Sequence, residues 1–165
     1  MAERGFGVLC IYYMSEPEFV PKPGQVDYTD IRYAPVINCV VQYEERILVV
    51  ERSSAMRLYP GYWNGISGFL DDNRGIEDHV QKELREEVGI LPENIIEIRR
   101  GAIFEIDAPE YKKTWIVHPI LVKVKTDEIK LDWEARRHRW TSLEEVKHLK
   151  LVPGFDSVLE RMFSA

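Results

Sequence analysis

Glu83, Glu86 and Glu87 lie within the run Lys82-Glu83-Leu84-Arg85-Glu86-Glu87-Val88-Gly89-Ile90. Their i, i+3, i+4 spacing brings three carboxylates to one side of a helix, an oxygen-rich set suited to a hard divalent cation. Ile76, Val80, Leu84 and Val88 mark the apolar arc of the same helix. Glu87 falls inside that arc, and Glu83 lies about 20° beyond its edge. A carboxylate turned toward the core is costly unless something positive satisfies it. Glu83 and Glu87 also repel each other, by roughly a few tenths of a kcal/mol at this spacing. A solvated acidic face built from good helix formers would show similar composition. Burial of Glu87 favours a bound cation instead.

The surrounding residues carry a longer pattern. Gly68 to Ile90, GFLDDNRGIEDHVQKELREEVGI, resembles the Nudix box: glycine, five residues, glutamate, seven residues, then Arg-Glu-apolar-x-Glu-Glu-x-Gly-apolar. Gly68 opens it, Glu83, Glu86 and Glu87 occupy the helix glutamates, and Gly89-Ile90 closes it. Trp63, five residues upstream of Gly68, fits a tryptophan often found there. The resemblance implies Mg²⁺ or Mn²⁺ held by Glu86 and Glu87, with a backbone carbonyl near Gly68. It implies that Glu83 is a ligand or general base, oriented by Lys82. Three positions depart from the pattern: Arg74 replaces the early glutamate, Lys82 the arginine, and His79 a small apolar residue. Lysine keeps the charge of arginine and loses its planar two-point geometry. Arg74 removes one carboxylate from the helix start and with it a favourable dipole interaction.

Members of this family often draw a base or further ligand from outside the box, and Glu105, Glu110 and Glu134 are the candidates. Glu134, six residues before Trp140, matches a Glu-then-Trp arrangement near the family's last strand and is the preferred catalytic candidate. Arg52, Arg57 and Arg99 offer bidentate contacts to phosphates. Trp63, with Tyr59 and Tyr62, could stack on a base or simply pack a loop onto the core. His118 reads as a core histidine, and His79 as exposed or paired with an acidic neighbour. Arg136-Arg137-His138-Arg139 reads as a solvated strand edge. The loop Tyr59 to Gly68 is also similar to that of isopentenyl-diphosphate isomerase relatives, but it carries Ser67 and no cysteine, which disfavours isomerase chemistry. The expected activity is divalent-metal-dependent hydrolysis of a nucleoside diphosphate linked to another moiety. The alternative is a binding module that senses a nucleotide or sugar diphosphate without cleaving it.

The elements that must position these residues are legible from periodicity. Pro35–Tyr43 and Arg46–Arg52 read as a hairpin around Glu44-Glu45. The box helix follows, with Asp71, Asp72 or Asn73 as its expected N-cap. Ile95–Ile106 reads as one long strand, Lys113–Lys125 as another with a possible break at Pro119, and Arg136–Thr141 as a third. Ser142-x-x-Glu145 is a capping-box signature. Phe155, Val158, Leu159, Met162 and Phe163 form the core stripe of a terminal helix. Gly7–Met14 reads as an extension strand, and Pro17, Pro21 and Pro23 mark an extended connector. Residues 1–33 are therefore expected to precede a Nudix domain of residues 34–165. The element order indicates an α+β fold, and the resemblance implies a Nudix-type α/β/α sandwich with a mixed β-sheet between helices.

With 165 residues, 45% hydrophobic and 30% charged, the chain has the makings of one soluble domain. A net charge of −6 disfavours general nucleic-acid binding, which needs cationic surface. A small anionic substrate remains compatible if a metal neutralises it locally. Cys10 and Cys39 sit in apolar runs and read as buried thiols of a reducing compartment. No apolar run reaches membrane-span length, and the N-terminus lacks a signal layout, so a cytoplasmic location is expected. The extension strand could pair with a sheet edge of its own or a second subunit, making a homodimer possible.

Overall fold

The structure is a computed structural model and describes residues 17–164; the expected strand at Gly7–Met14 and Cys10 lie outside them. Its centre is β1 (Tyr33–Tyr43) paired in parallel with β7 (Lys113–Val124) over their whole common length. Every other strand pairing is antiparallel, so the eight-stranded sheet is mixed.

Each central strand divides its free edge between two partners. β4 (Ile66–Phe69) pairs with residues 36–39 of β1, and β2 (Arg46–Arg52) with residues 41–43. Likewise β6 (Phe104–Ala108) takes the first half of β7 and β5 (Ile95–Arg100) the second. β3 (Trp63–Asn64) and β8 (Ala135–Thr141) both pair with β2. The change of partner on β7 corrects two sequence expectations. The stretch 95–106 is two strands, because the chain shifts from one half of β7 to the other across Gly101. Pro119 does not break β7: it sits at that changeover, outside both antiparallel ladders, and its carbonyl accepts from the Gly101 N–H.

Alternation along the strands sends side chains to opposite faces. Ile37, Cys39 and Val41, Leu48 and Val50, and Ile120, Val122 and Val124 face helix α1 (Ile76–Val88), meeting Val80, Leu84 and Val88. Val40, Ile47, Val49, Val117 and Leu121 face helix α2 (Phe155–Phe163), meeting Phe155, Val158, Leu159 and Met162. Helix, sheet and helix thus form the expected α+β sandwich. Ser142 and Glu145 form the expected capping box, the Glu145 N–H donating to Ser142 Oγ at 3.1 Å, but only a turn of 3₁₀ helix follows, Glu145–His148.

Helix α1 starts differently from expectation. Its N-cap is Gly75, with no side-chain cap. Asp72 is diverted into a local turn, accepting the Arg74 N–H at 3.0 Å and the Arg74 guanidinium. The helix ends at Gly89, whose φ of 72° is the left-handed conformation glycine adopts without steric cost.

Candidate active site

Where β1 changes partner, the fork between β2 and β4 opens beside the second half of α1. Asn38, Asn64 and Ser67 form a polar chain there, the Asn38 amide donating to Asn64 Oδ1 at 2.9 Å and the Asn64 amide to Ser67 Oγ at 3.3 Å. Gly68 follows on β4, directly against Glu83. A Cβ at position 68 would lie 2.6 Å from Glu83 Cδ, so only glycine lets that carboxylate rest on the strand backbone.

The three box glutamates occupy graded environments. Glu87 is 7% exposed, Glu83 has a side chain 12% exposed, and that of Glu86 is 55% exposed. Lys82 Nζ stands 3.3 Å from Glu83 Oε1 and 3.6 Å from Glu86 Oε2, bridging two of the three. Burial pushes the Glu87 carboxyl well above the ordinary carboxylate range, reinforced by the negative charges of Glu134 and Glu83 and opposed by Arg52. Burial likewise raises Glu83, while Lys82 pulls it down. Glu87 Oε1 is buried with no hydrogen-bond partner. Buried acceptors are rarely left in this state.

These residues border a cavity of about 340 Å³ that Arg52, Arg57, Asn38, Ser67, Gly68 and Glu134 also line. Tyr28, stacked on Phe69 at 5.7 Å, and Trp115, 6.1 Å from Phe69, also line it. A larger hollow of about 830 Å³ beside α2, lined by Ile106, Leu143, Leu151 and Phe163, holds none of the box residues.

Of the sequence candidates, Gly68, Lys82, Glu83, Glu86, Glu87, Arg52, Arg57 and Glu134 come together at this cavity. Arg99 does not: its guanidinium donates to the Met162 carbonyl at 2.7 Å, on the edge strand β5. Trp63 is also elsewhere, buried beneath the guanidinium groups of Arg137 and Arg139, each 5.3 Å from its ring. Glu105 and Glu110 are exposed and do not line the cavity. The basic run of β8 is more than a solvated edge, because Arg136 and Arg137 both pair with the buried Glu51.

Three features escaped sequence reading. Residues 17–32, read as a connector, supply Phe19, Gln25, Val26 and Tyr28 to the cavity wall. Lys113 holds that segment by donating to the carbonyls of Tyr28, Thr29 and Ile31. The burial of His79 is the second, although the acidic neighbour offered as one of its two alternatives is there, Asp72. Asn38 and Tyr28 have no periodic or motif signal, and only their place in the fold reveals them.

A mixed sheet between two helices, with a glycine strand feeding an acidic helix face beside a deep cavity, defines a Nudix domain. The chain matches the NUDIX domain pattern over residues 32–162. It is 23% identical over 130 residues to the uncharacterized Nudix hydrolase YvcI of Bacillus subtilis (strain 168), covering 77% of each sequence. Among solved structures it resembles the MutT protein of Methanosarcina mazei Go1, with a TM-score of 0.64 and 21% identity over 80% of this chain and 94% of that one. It also resembles the NUDIX domain of Shewanella oneidensis NrtR complexed with ADP ribose, with a TM-score of 0.65 and 15% identity over 78% of this chain and 84% of the other. A C. elegans Ap4A hydrolase is similar at a TM-score of 0.63 and 18% identity, over 78% of this chain and 94% of that one. This chain belongs to the Nudix family.

Proposed function

We propose that this chain is a divalent-metal-dependent hydrolase that cleaves the diphosphate of a nucleoside diphosphate linked to another moiety. The single observation that carries the metal reading is Glu87. Its carboxylate is buried, its Oε1 has no hydrogen-bond partner, and Glu83 and Glu134 crowd it with like charge. A hard cation satisfies that arrangement, and the donor set is all oxygen, as Mg²⁺ or Mn²⁺ requires.

Glu83, Glu86 and Glu87 would hold the ion together with the Gly68 carbonyl. When bound, it supplies charge neutralisation at the diphosphate and lowers the pKa of an attacking water. Lys82 bridges Glu83 and Glu86 and would hold Glu83 against the Gly68 backbone. Glu134, beside Glu87 on the cavity wall, would take a proton from the attacking water. Arg52 and Arg57 on the cavity wall match the phosphates, and the Tyr28–Phe69 stack offers an aromatic face for a base or sugar. Arg99 and Trp63 have no part in this reading.

A panel including ADP-ribose and diadenosine tetraphosphate, with phosphate readout and added Mg²⁺ or Mn²⁺, tests it. Glu83→Gln is expected to lower kcat by roughly 10²–10⁴, and Glu86→Gln to raise the metal requirement. Turnover indifferent to both substitutions contradicts the assignment. The second reading, a sensor that binds without cleaving, draws support from Lys82 and Arg74 at positions where the family pattern has arginine and glutamate. It would show tight ligand binding with no product.

A further inference from the structure

Outside the box glutamates, Asp71 and Asp72 on the loop after β4 meet His79 in the first turn of α1. One ligand atom from each lies within 4.8 Å of the others. The His79 side chain is 1% exposed, and neither ring nitrogen has a hydrogen-bond partner. Its Nε2 approaches Asp72 Oδ1 to 3.0 Å as an ion-pair contact without a hydrogen bond. Asp71 is 8% exposed, and its Oδ1 is likewise without a partner. Two imidazole nitrogens and a carboxylate oxygen that are buried without a hydrogen bond, in one such cluster, are costly as they stand.

We propose that Asp71, Asp72 and His79 bind a transition-metal dication of the Zn²⁺ or Co²⁺ class, at a site separate from the box. The ligand chemistry selects that class, since imidazole suits these ions and Mg²⁺ prefers oxygen alone. Tetrahedral ligands on bonds of about 2.1 Å stand about 3.4 Å apart, so Nε2 and Oδ1, now 3.0 Å apart, separate by a few tenths of an ångström when the ion enters. Gln25 Nε2 donates to Asp71 Oδ2 at 2.6 Å and leaves the buried Oδ1 without a hydrogen bond, the kind of outer support that metal ligands use. Arg74 competes for Asp72, which it grips at 2.6–3.0 Å. Its side chain is 41% exposed and can turn out to solvent when the ion enters. Occupancy joins the 17–32 segment, the loop and α1 at one point beside the cavity.

The test follows the ring ¹⁵N resonances of the four histidines in the full chain during Zn²⁺ titration. A Glu83→Gln/Glu86→Gln/Glu87→Gln background removes the three box glutamates from contention. One equivalent is expected to shift the His79 Nε2 signal while His118, His138 and His148 stay in place. Asp71→Asn should weaken that response at least about tenfold and Gln25→Ala by about tenfold, whereas Arg74→Ala should tighten it severalfold. Mg²⁺ should leave His79 unmoved. If stoichiometric Zn²⁺ leaves the His79 ring unchanged, or shifts it equally after Asp71→Asn, the trio is only an acid–base contact and the proposal fails. A loosening after Arg74→Ala would equally overturn it, because the guanidinium would then be a support and not a competitor.

Discussion

Glu87 shows how one residue ties burial to chemistry. Its carboxyl is raised by burial and by neighbouring negative charge, and Glu83 is raised in the same way. A carboxylate whose folded pKa exceeds its unfolded value of 4.5 stabilises the fold at pH below that value. That contribution is lost as pH rises through the higher folded pKa. Metal-free protein in EDTA should therefore melt at a lower temperature at about pH 8 than at about pH 5.5. The stabilisation given by Mn²⁺ should run the other way and grow with pH, since the ion must displace those protons. Calorimetric scans across that range check both signs. Glu87→Gln should flatten the metal-free pH dependence and stabilise the apoprotein by about 1–3 kcal/mol at about pH 8, while abolishing most of the Mn²⁺ increment. At this scale the sequence was informative: helical spacing alone turned Glu87 inward. It could not show that His79 is buried, because Arg74 draws Asp72 into the local turn that places it against the ring.

At the scale of elements, the site depends on a strand and a helix touching without intervening side chains. Gly68→Ala would set a methyl 2.6 Å from Glu83 Cδ, so the carboxylate must leave the strand. The fold should persist, with Mn²⁺ affinity falling about tenfold to hundredfold; isothermal titration alongside circular dichroism separates the two effects. Gly89→Ala should act on stability instead. A side chain there adopts a φ of 72° and approaches Lys130 Cβ to 3.1 Å, costing about 1 kcal/mol or more in chemical denaturation. Period-two and period-3.6 patterns placed β1, β2, α1 and α2 well, because each buries one face against the sheet or a helix. The split of residues 95–106 was not legible, since both halves have the same strand pattern and only the shared edge of β7 separates them. The missing side-chain cap of α1 was equally hidden, because three polar residues in a row offered plausible caps.

The whole molecule assembles its cavity from parts that are remote in sequence. Residues 17–32 wall one side, tied by Lys113 and by the Val26 N–H to the Asp71 carbonyl at 2.6 Å. Lys113→Met removes three hydrogen bonds to main-chain carbonyls at once. It should raise the KM for substrate more than it lowers kcat and expose the segment to limited proteolysis, with the sheet core intact by circular dichroism. A proline-bearing stretch without periodicity gave no sign of this role. Among the described residues no helix is long and apolar enough to cross a membrane. The account as a whole rests on Glu83, Glu86 and Glu87 gathering one ion beside the polar fork of β1. Anomalous diffraction from Mn²⁺-soaked crystals addresses it most directly. The expected result is a peak within bonding distance of those carboxylates and the Gly68 carbonyl, lost in Glu86→Gln/Glu87→Gln; strong manganese density elsewhere, with this cluster bare, would contradict it.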